Sequence, residues 1–292
     1  MKVFSWYDLV SGELDLSKEF SDNSNQLQLF SNGTALTIGA FDGPHLGHKR
    51  IFSAVMAKSK LLHGVITFSK LPRAKKEGTA FAGTLSTLSQ RLKRFADSGF
   101  DFVILIDFSL DFARMSGRAF LDVLSRFLKM RFLAVGRNFR CGYQVDTGAA
   151  ELSEYAAEKK ITLELVPEFC INNERVSSSR IRDYIEKAEF AIAKDFLGYS
   201  YEIDCSSFVI SEIEKEISES VIKLKSVNGF AQIMPPVGLY NVCIEVLFCD
   251  SSGEPKMRSF AGSCEVNPTF LLCRFSCQVA CLKVQTIRFN VF

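Results

Sequence analysis

This 292-residue sequence contains only three histidines and one tryptophan, and it has no marked excess of either charge. Lys and Arg number 35 against 33 Asp and Glu, whereas proteins that bind nucleic acid as a polyanion carry a clear basic excess. We therefore expect no nucleic-acid partner. The longest apolar run is Phe102 to Ile106, far short of the roughly 20 residues of a spanning helix. We expect no membrane partner either.

The N-terminus and the cysteines bear on the compartment. An acid, Asp8, interrupts the first residues before any signal-like apolar core develops. The nine cysteines include no CxxC pair and lie mostly in apolar segments, which is typical of buried, reduced thiols. Cys273, Cys277 and Cys281 lack histidine or acidic neighbours, so no protein-held metal is expected. The sequence predicts a cytoplasmic protein and gives no oligomeric state.

The first two thirds of the chain alternate short apolar runs with stretches of helical period, and this order predicts an α/β fold with a Rossmann-like, doubly wound parallel sheet. The predicted strands are Ala35–Gly39, Gly64–Phe68, Phe102–Ile106, Phe132–Val135 and Thr162–Val166. The predicted helices cover residues 46–62, 86–98, 116–129, 149–159 and 180–196.

The remainder of the chain has another character. Residues 211–220 are acidic and serine-containing, which indicates an exposed helix or a linker. Segments 239–248 and 282–291 mix β-branched, aromatic and cysteine residues and are separated by turn-forming residues. We expect two domains, residues 1–203 and a smaller antiparallel, β-barrel-like domain over 206–292.

One motif stands out between the first predicted strand and the first predicted helix. Residues 39–48 read Gly-Ala-Phe-Asp-Gly-Pro-His-Leu-Gly-His, and His45 and His48 are two of the three histidines in the chain. Residues three apart in a first helical turn project to one side. A helix N-terminus attracts anions, and glycine lets a phosphate approach the backbone. The motif therefore indicates a phosphate site in which two imidazoles stabilise charge on a departing pyrophosphate.

This motif resembles the HxGH signature of the nucleotidyltransferase superfamily, and its longer form GxFDGxHxGH resembles bacterial FAD synthetases. Further matches follow in order over residues 30–203. Thr67-Phe68 with Pro72-Arg73 resembles TFxPxPR; residues 85–88 and 99–101 resemble the stretch before the third strand; residues 136–142 resemble GxNFxFG; and residues 176–182 resemble ISSTxxR.

The resemblance implies transfer of AMP from ATP to FMN, with Mg²⁺ accompanying ATP and with FMN and ATP as the small-molecule substrates. It implies catalytic roles for His45, His48 and Arg182. It implies ATP contacts at Gly39, Phe41, Asp42, Gly47, Asn138, Ser177, Ser178 and Ser179, and FMN contacts at Thr67, Phe68, Pro72 and Arg73.

The sequence also departs from the family. Ser69-Lys70-Leu71 stands where the family has an acid or histidine, Cys141 replaces a phenylalanine, and Ser179 replaces a threonine. Bacterial FAD synthetases usually also carry a riboflavin kinase domain with a Pro-Thr-Ala-Asn motif, which occurs nowhere in this chain. We therefore expect FAD synthesis without riboflavin kinase activity. Two alternatives are transfer of a nucleotidyl group to another phosphorylated acceptor, and flavin or nucleotide binding without catalysis.

Overall fold

A computed structural model describes residues 1–20, 32–71, 83–107, 110–215, 219–227, 229–249, 254–276 and 281–289. The chain forms two compact units. The first comprises Met1–Ala74 and Arg91–Arg175, and the second comprises Lys75–Gln90 and Val176–Phe292. No helix within the described ranges has the length and apolar character needed to cross a membrane.

The first unit is built on a six-stranded sheet in the order β1-β4-β3-β2-β5-β6, and every pair in it is parallel. Its six strands are β1 Lys2–Ser5, β2 Thr34–Ile38, β3 Leu62–Phe68, β4 Phe102–Ile106, β5 Met130–Gly136 and β6 Thr162–Val166. Two further strands, β7 Cys170–Ile171 and β8 Glu174–Arg175, form a small separate hairpin. The helices up to residue 175 are α1 Trp6–Val10, α2 Leu16–Glu19, α3 Leu46–Met56, α4 Leu88–Asp97, α5 Leu110–Ala113, α6 Gly117–Leu128 and α7 Ala149–Lys159.

The strand order reverses between β2 and β5. From β2 the chain adds β3 and then β4 on one side, whereas β5 and β6 lie on the other side. In open parallel sheets, ligands bind at such a reversal, outside the carboxyl ends of the strands. The sheet thus places the end of β2, where the HxGH motif begins, at the position that the fold favours for a ligand.

Apolar side chains cover both faces of this sheet. Leu36 and Ile38 of β2 pack into one buried cluster, and Ala35 from the same strand packs into the other. Such runs, apolar on both faces, are typical of parallel strands covered by helices on each side. They explain why the predicted strands could be found from short apolar segments alone.

The second unit combines two helices with an antiparallel sheet of seven strands, in the order β10-β11-β14-β13-β12-β15-β9, that curls as a half-barrel. The rings of Phe190 and Phe289 stack 4.7 Å apart in its core. Its elements are α8 Ser178–Glu186, α9 Phe190–Leu197, β9 Glu202–Asp204, β10 Phe208–Lys215, β11 Ser220–Ser226, β12 Gly238–Cys249, β13 Pro255–Val266, β14 Phe270–Phe275 and β15 Cys281–Phe289.

The predicted fold class is confirmed, with differences in detail. The sheet gains a sixth strand, β1, at its edge. The segment 180–196 is not one helix, because Ala188 adopts a left-handed backbone (φ 57°) between α8 and α9. The prediction of an exposed helix or linker over 211–220 is wrong, since this segment contains most of strand β10 and the start of β11. The division into functional domains at residues 203–206 stays a prediction.

Candidate active site

The HxGH motif forms the connection from β2 to α3 in the first unit. His45 is the residue before the helix and has an extended backbone, and His48 lies in the first turn. The imidazole Nδ1 of His45 accepts a hydrogen bond from the backbone N–H of His48 at 3.3 Å. His45 thus caps the helix as a serine or aspartate usually does.

The two imidazoles stack on each other. Their ring centroids are 3.6 Å apart and their planes differ by 17°. Because Nδ1 of His45 accepts a hydrogen bond, the proton of the neutral ring lies on Nε2, which makes this nitrogen a donor. The structure therefore brings His45 and His48 together as one unit at a helix N-terminus.

Both rings are neutral at physiological pH. Burial, with a smaller contribution from the positive charge of Arg175, lowers the pKa of His45 to about 4. Burial and then the adjacent His45 lower the pKa of His48 well below its usual value of 6.5. The Nδ1 atom of His48 is buried and has no hydrogen-bond partner among the residues that the structure describes. A neutral pair can donate hydrogen bonds to phosphate oxygens without taking up a proton first.

Gly39 and Phe41 support this pair. Phe41 is buried with a left-handed backbone (φ 47°), a conformation that costs free energy in a residue other than glycine and is often found at functional sites. Its ring lies edge-on against that of His48, with centroids 5.1 Å apart. A Cβ at Gly39 would come within 2.8 Å of the Phe41 ring, so this position requires glycine. Gly47 is half-buried between the two histidines in the helix.

Thr67 and Phe68 end strand β3, beside the end of β2. Thr67 is buried, and its hydroxyl donates to the carbonyl of Ala40 at 3.2 Å. Phe68 is half-buried, and its ring lies edge-on to Phe112. Ser69 is the first residue of the Ser69-Lys70-Leu71 segment that differs from the family pattern, and its hydroxyl donates to a carboxylate oxygen of Asp107. Pro72 and Arg73 lie outside the described residues.

Arg91 is a residue of this region that the motifs did not reveal. It is 1% exposed, and its guanidinium contacts the main chain at the ends of β2 and β3. Asp42, also buried, opposes the effect of burial on the pKa of Arg91, which is lowered to about 10. Its spacing in the sequence could have revealed it. Arg91 lies on the same stripe of α4 as Leu88, Leu92 and Phe95, so a charged residue occupies a core position.

Asn138 follows β5, on the other side of the reversal in strand order. It is exposed, and its amide donates to the carboxylate of Glu168. Glu168 in turn pairs with Arg175 at 3.0 Å. Arg175 is the cation that acts on His45. This chain of polar contacts places Asn138, Glu168 and Arg175 at the carboxyl edge of the sheet, although only Asn138 was predicted.

The serine motif belongs to the second unit and begins α8. Ser177 caps the helix, its hydroxyl accepting from the N–H of Arg180 at 3.3 Å, and Ser178 and Ser179 form the first turn. Arg182 is half-buried, and its Nε donates to the carbonyl of Gly83 at 3.0 Å. This hydrogen bond ties the guanidinium to the main chain at Gly83.

The departure at Cys141 has a packing explanation. Cys141 is partly buried against the apolar cluster of the first unit, and burial raises the pKa of its thiol to about 12. It therefore acts as a small apolar side chain.

Within the described ranges, no group of three or more His, Cys, Asp or Glu side chains is arranged to hold a metal ion.

A doubly wound parallel sheet with a neutral histidine pair at a helix N-terminus beside the reversal in strand order suits a nucleotidyltransferase, and the family of the chain shows that it is one. A family model described as FAD synthetase matches residues 27–180, and the chain belongs to that family. Similar curated proteins include two named bifunctional riboflavin kinase/FMN adenylyltransferase. That of Escherichia coli K12 is 28% identical over 227 residues, 76% of this chain and 71% of its own length. That of Haemophilus influenzae is 29% identical over 175 residues, 59% and 57% of the two chains.

A similar solved structure is the crystal structure titled macrolide-efflux protein from Streptococcus pneumoniae. It has a TM-score of 0.72 and 17% sequence identity, and the match covers 99% of this chain and 98% of that one. At this identity the likeness concerns the fold alone.

Proposed function

We propose that this protein transfers AMP from ATP to FMN, giving FAD and pyrophosphate, and that it does not phosphorylate riboflavin. The observation that best supports the transfer is the stacked, neutral pair of His45 and His48 at the N-terminus of α3. Membership of the FAD synthetase family indicates FMN as the acceptor.

The reaction needs alignment more than proton transfer. A phosphate oxygen of FMN attacks the α-phosphorus of ATP, the bond from this phosphorus to the bridging oxygen breaks, and pyrophosphate leaves with the electron pair. Because the attacking phosphate is already an anion, no general base is required. The chain has to hold the triphosphate and stabilise the negative charge that develops on the leaving group.

The histidine pair suits that second task. Nε2 of His45 is a donor, and the first turn of α3 offers backbone N–H groups and partial positive charge to the same anion. Neutral imidazoles keep these donors in place across the physiological pH range. We assign Gly39, Phe41, Asp42 and Gly47 to the shaping of this phosphate site.

The remaining assignments rest on the family motifs. We propose that Ser177, Ser178, Ser179 and Asn138 contact ATP, and that Arg182 offers its guanidinium to a phosphate. On the acceptor side we keep Phe68, Pro72 and Arg73 as FMN contacts, with Thr67 acting through its hydrogen bond to Ala40. Mg²⁺ enters as the ATP complex, since it is well served by phosphate oxygens and water.

The absence of kinase activity is supported by the chain after residue 206. Phosphoryl transfer to riboflavin requires groups that cradle ATP and neutralise its phosphates. No Pro-Thr-Ala-Asn motif occurs there, and the residues after Gly229 are Phe230-Ala231-Gln232. Ala231 accepts from the backbone of Thr84, and Gln232 bonds to Leu85 and Glu202. This segment binds its own chain, so FMN must come from another enzyme or from uptake.

One experiment tests both parts. The protein is incubated with MgATP and either FMN or purified riboflavin, and the products are separated by chromatography, with the E. coli relative as the positive control for both activities. We expect FAD and pyrophosphate from FMN and no product from riboflavin. FMN or FAD formed from riboflavin would contradict the absence of the kinase, and failure to form FAD from FMN would contradict the transferase.

A further inference from the structure

We propose that Arg91 is a positioning residue, which fixes the distance between the phosphate site and the acceptor side by holding the main chain of both. This inference rests on the proposed function, since it concerns how the two substrates of that reaction are aligned. Arg91 is unusual because it is a charged residue that is almost completely buried. Arg91 is the largest side chain of the chain's described part with less than 2% exposure, and it lies on the apolar stripe of α4.

A buried cation is costly unless its hydrogen bonds are satisfied, and here four acceptors surround the guanidinium. Nη2 donates to the carbonyls of Phe68 at 2.9 Å and Ser69 at 3.2 Å. Nη1 donates to the hydroxyl of Thr67 at 3.3 Å and to the carbonyl of Ala40 at 3.4 Å. Three of the four acceptors are backbone atoms. The guanidinium therefore determines the path of the main chain.

These carbonyls lie at the carboxyl ends of two neighbouring strands. Ala40 follows β2 and lies one residue before the strained Phe41, whose ring contacts His48. Phe68 is the last residue of β3, and Ser69 follows it and leads to the segment assigned to FMN. Thr67 reinforces the connection by its own hydrogen bond to Ala40. One side chain thus ties the loop that carries the histidine pair to the strand end on the acceptor side.

Neither an apolar side chain nor lysine could hold both strand ends in this way. An apolar side chain has no donors, and lysine offers a point charge on a flexible stem, whereas the planar guanidinium of arginine donates to both strand ends at once. The Nε of Arg91 is buried and lacks a partner within the described residues, which an apolar side chain would avoid. Replacement of a buried ionic group by an apolar one is often compatible with folding. The guanidinium is therefore explained by the arrangement of the two strand ends better than by the packing of the core.

The test compares Arg91→Met and Arg91→Lys with the parent protein. Lys93→Met is the matched control, because Lys93 is an exposed residue of the same helix that pairs only at the surface with Asp97 at 3.0 Å. For each protein we would measure kcat, KM for FMN and for MgATP, the unfolding midpoint, and hydrogen exchange of the backbone amides. A misplacement of about 1 Å lowers a rate about 10²-fold.

For Arg91→Met we expect kcat/KM for FMN to fall about 10²-fold, with KM for MgATP within about threefold of the parent value. Arg91→Lys should recover part of the loss, and Lys93→Met should match the parent. Hydrogen exchange should become faster at residues 40–42 and 68–70 in Arg91→Met, with the rest of the first unit unchanged.

Each other result has a distinct meaning. If the parent forms no FAD, the proposed function fails, and the exchange pattern still decides whether Arg91 holds the two strand ends. If the parent is active and a folded Arg91→Met has parental kinetics, the inference is overturned. If Arg91→Met lowers kcat/KM equally for FMN and MgATP and also lowers the unfolding midpoint, Arg91 only stabilises the core and the inference is overturned. Should Arg91→Met not fold, Arg91→Lys alone decides between these outcomes.

Discussion

At the scale of single residues, His48 is the side chain whose loss should be felt most directly by the reaction. If it supports the departing pyrophosphate, His48→Ala should lower kcat by about 10²-fold or more, as for the loss of one oxyanion donor. ATP binding should weaken less, because the backbone N–H groups of α3 remain. Steady-state kinetics and an ATP titration measure both effects.

The matched control is His63→Ala. His63 lies in β3 at the amino end of the strand, where it pairs with Asp101. Its replacement should leave kcat unchanged. Near-normal turnover of His48→Ala would remove this histidine from the catalytic group.

His45 should make the folded protein sensitive to acid. Its pKa is about 4 when folded and 6.5 in an ordinary environment, so between these values the unfolded chain binds a proton that the folded chain does not. Stability should therefore fall as the pH is lowered from 6.5 to 4, by up to about 1.4 kcal/mol per pH unit for this group. Urea unfolding at a series of pH values measures the slope.

His45→Asn is the comparison for this slope, because asparagine also caps helices but does not titrate. The variant should lose less stability than the parent between pH 6.5 and 4. Equal slopes in the two proteins would mean that folding does not lower the pKa of His45.

Some residues of the candidate site could be predicted from the sequence and others could not. His45 and His48 were found because two rare residues share a helix start, and their stacking follows from that spacing. Arg91 carries no motif, and only its position on the stripe of α4 could have revealed it. The contacts of Arg91 depend on two strand ends that sequence spacing does not bring together.

At the scale of elements, α8 offers a test of its arginine. The Nε of Arg182 donates to Gly83, which a lysine at this position cannot reproduce with the same fork of donors. We expect Arg182→Lys to lower kcat/KM for MgATP at least about 10-fold, a loss of about 1.4 kcal/mol of transition-state stabilisation.

The control is Arg180, which lies two residues before Arg182 on the same helix. Arg180 is exposed and faces Asp183 at 3.8 Å, so Arg180→Lys should have kinetics close to those of the parent. Unchanged parameters for Arg182→Lys would return Arg182 to the role of a helix side chain without contact to substrate.

Strand prediction followed the apolar pattern along each strand. The central strands β2, β3, β4 and β5 are largely buried on both faces, which fixes their type, whereas β6 is an edge strand with exposed Thr162 and Glu164 and was recognised from its leucines and valine. β1 has partly exposed residues at an edge of the sheet, and a four-residue segment gives little pattern. β10 is another edge strand, with exposed Glu212 and Glu214, so its charge pattern indicated an exposed helix or a linker, although its pairing with β11 makes it a strand.

At the scale of the whole molecule, the thiols should report opening of the fold. Cys205, Cys264 and Cys273 are completely buried, and burial raises the pKa of Cys205 well above its usual value. Cys170 is exposed. With an alkylating reagent and mass spectrometry, Cys170 should be modified rapidly and the buried three only as fast as the second unit opens.

Labelling in urea provides the control, since all of these cysteines should then react at similar rates. Rapid modification of the buried three in the native protein would contradict the packing of the antiparallel sheet around them. The cytoplasmic location predicted from the cysteine pattern stays a prediction.

The segment Ala231–Ile233 limits how the second unit can be redesigned. Its carbonyl and amide groups form backbone hydrogen bonds with Thr84, the Gln232 side chain bonds to the main chain of Leu85, and a Cβ at Gly83 would come within 2.5 Å of the nitrogen of Ile233. A nucleotide-binding loop engineered at this segment would have to break these hydrogen bonds before it gained any activity. Such a design would therefore require replacing residues 83–90 and 229–235 together, because the two segments hold each other in place.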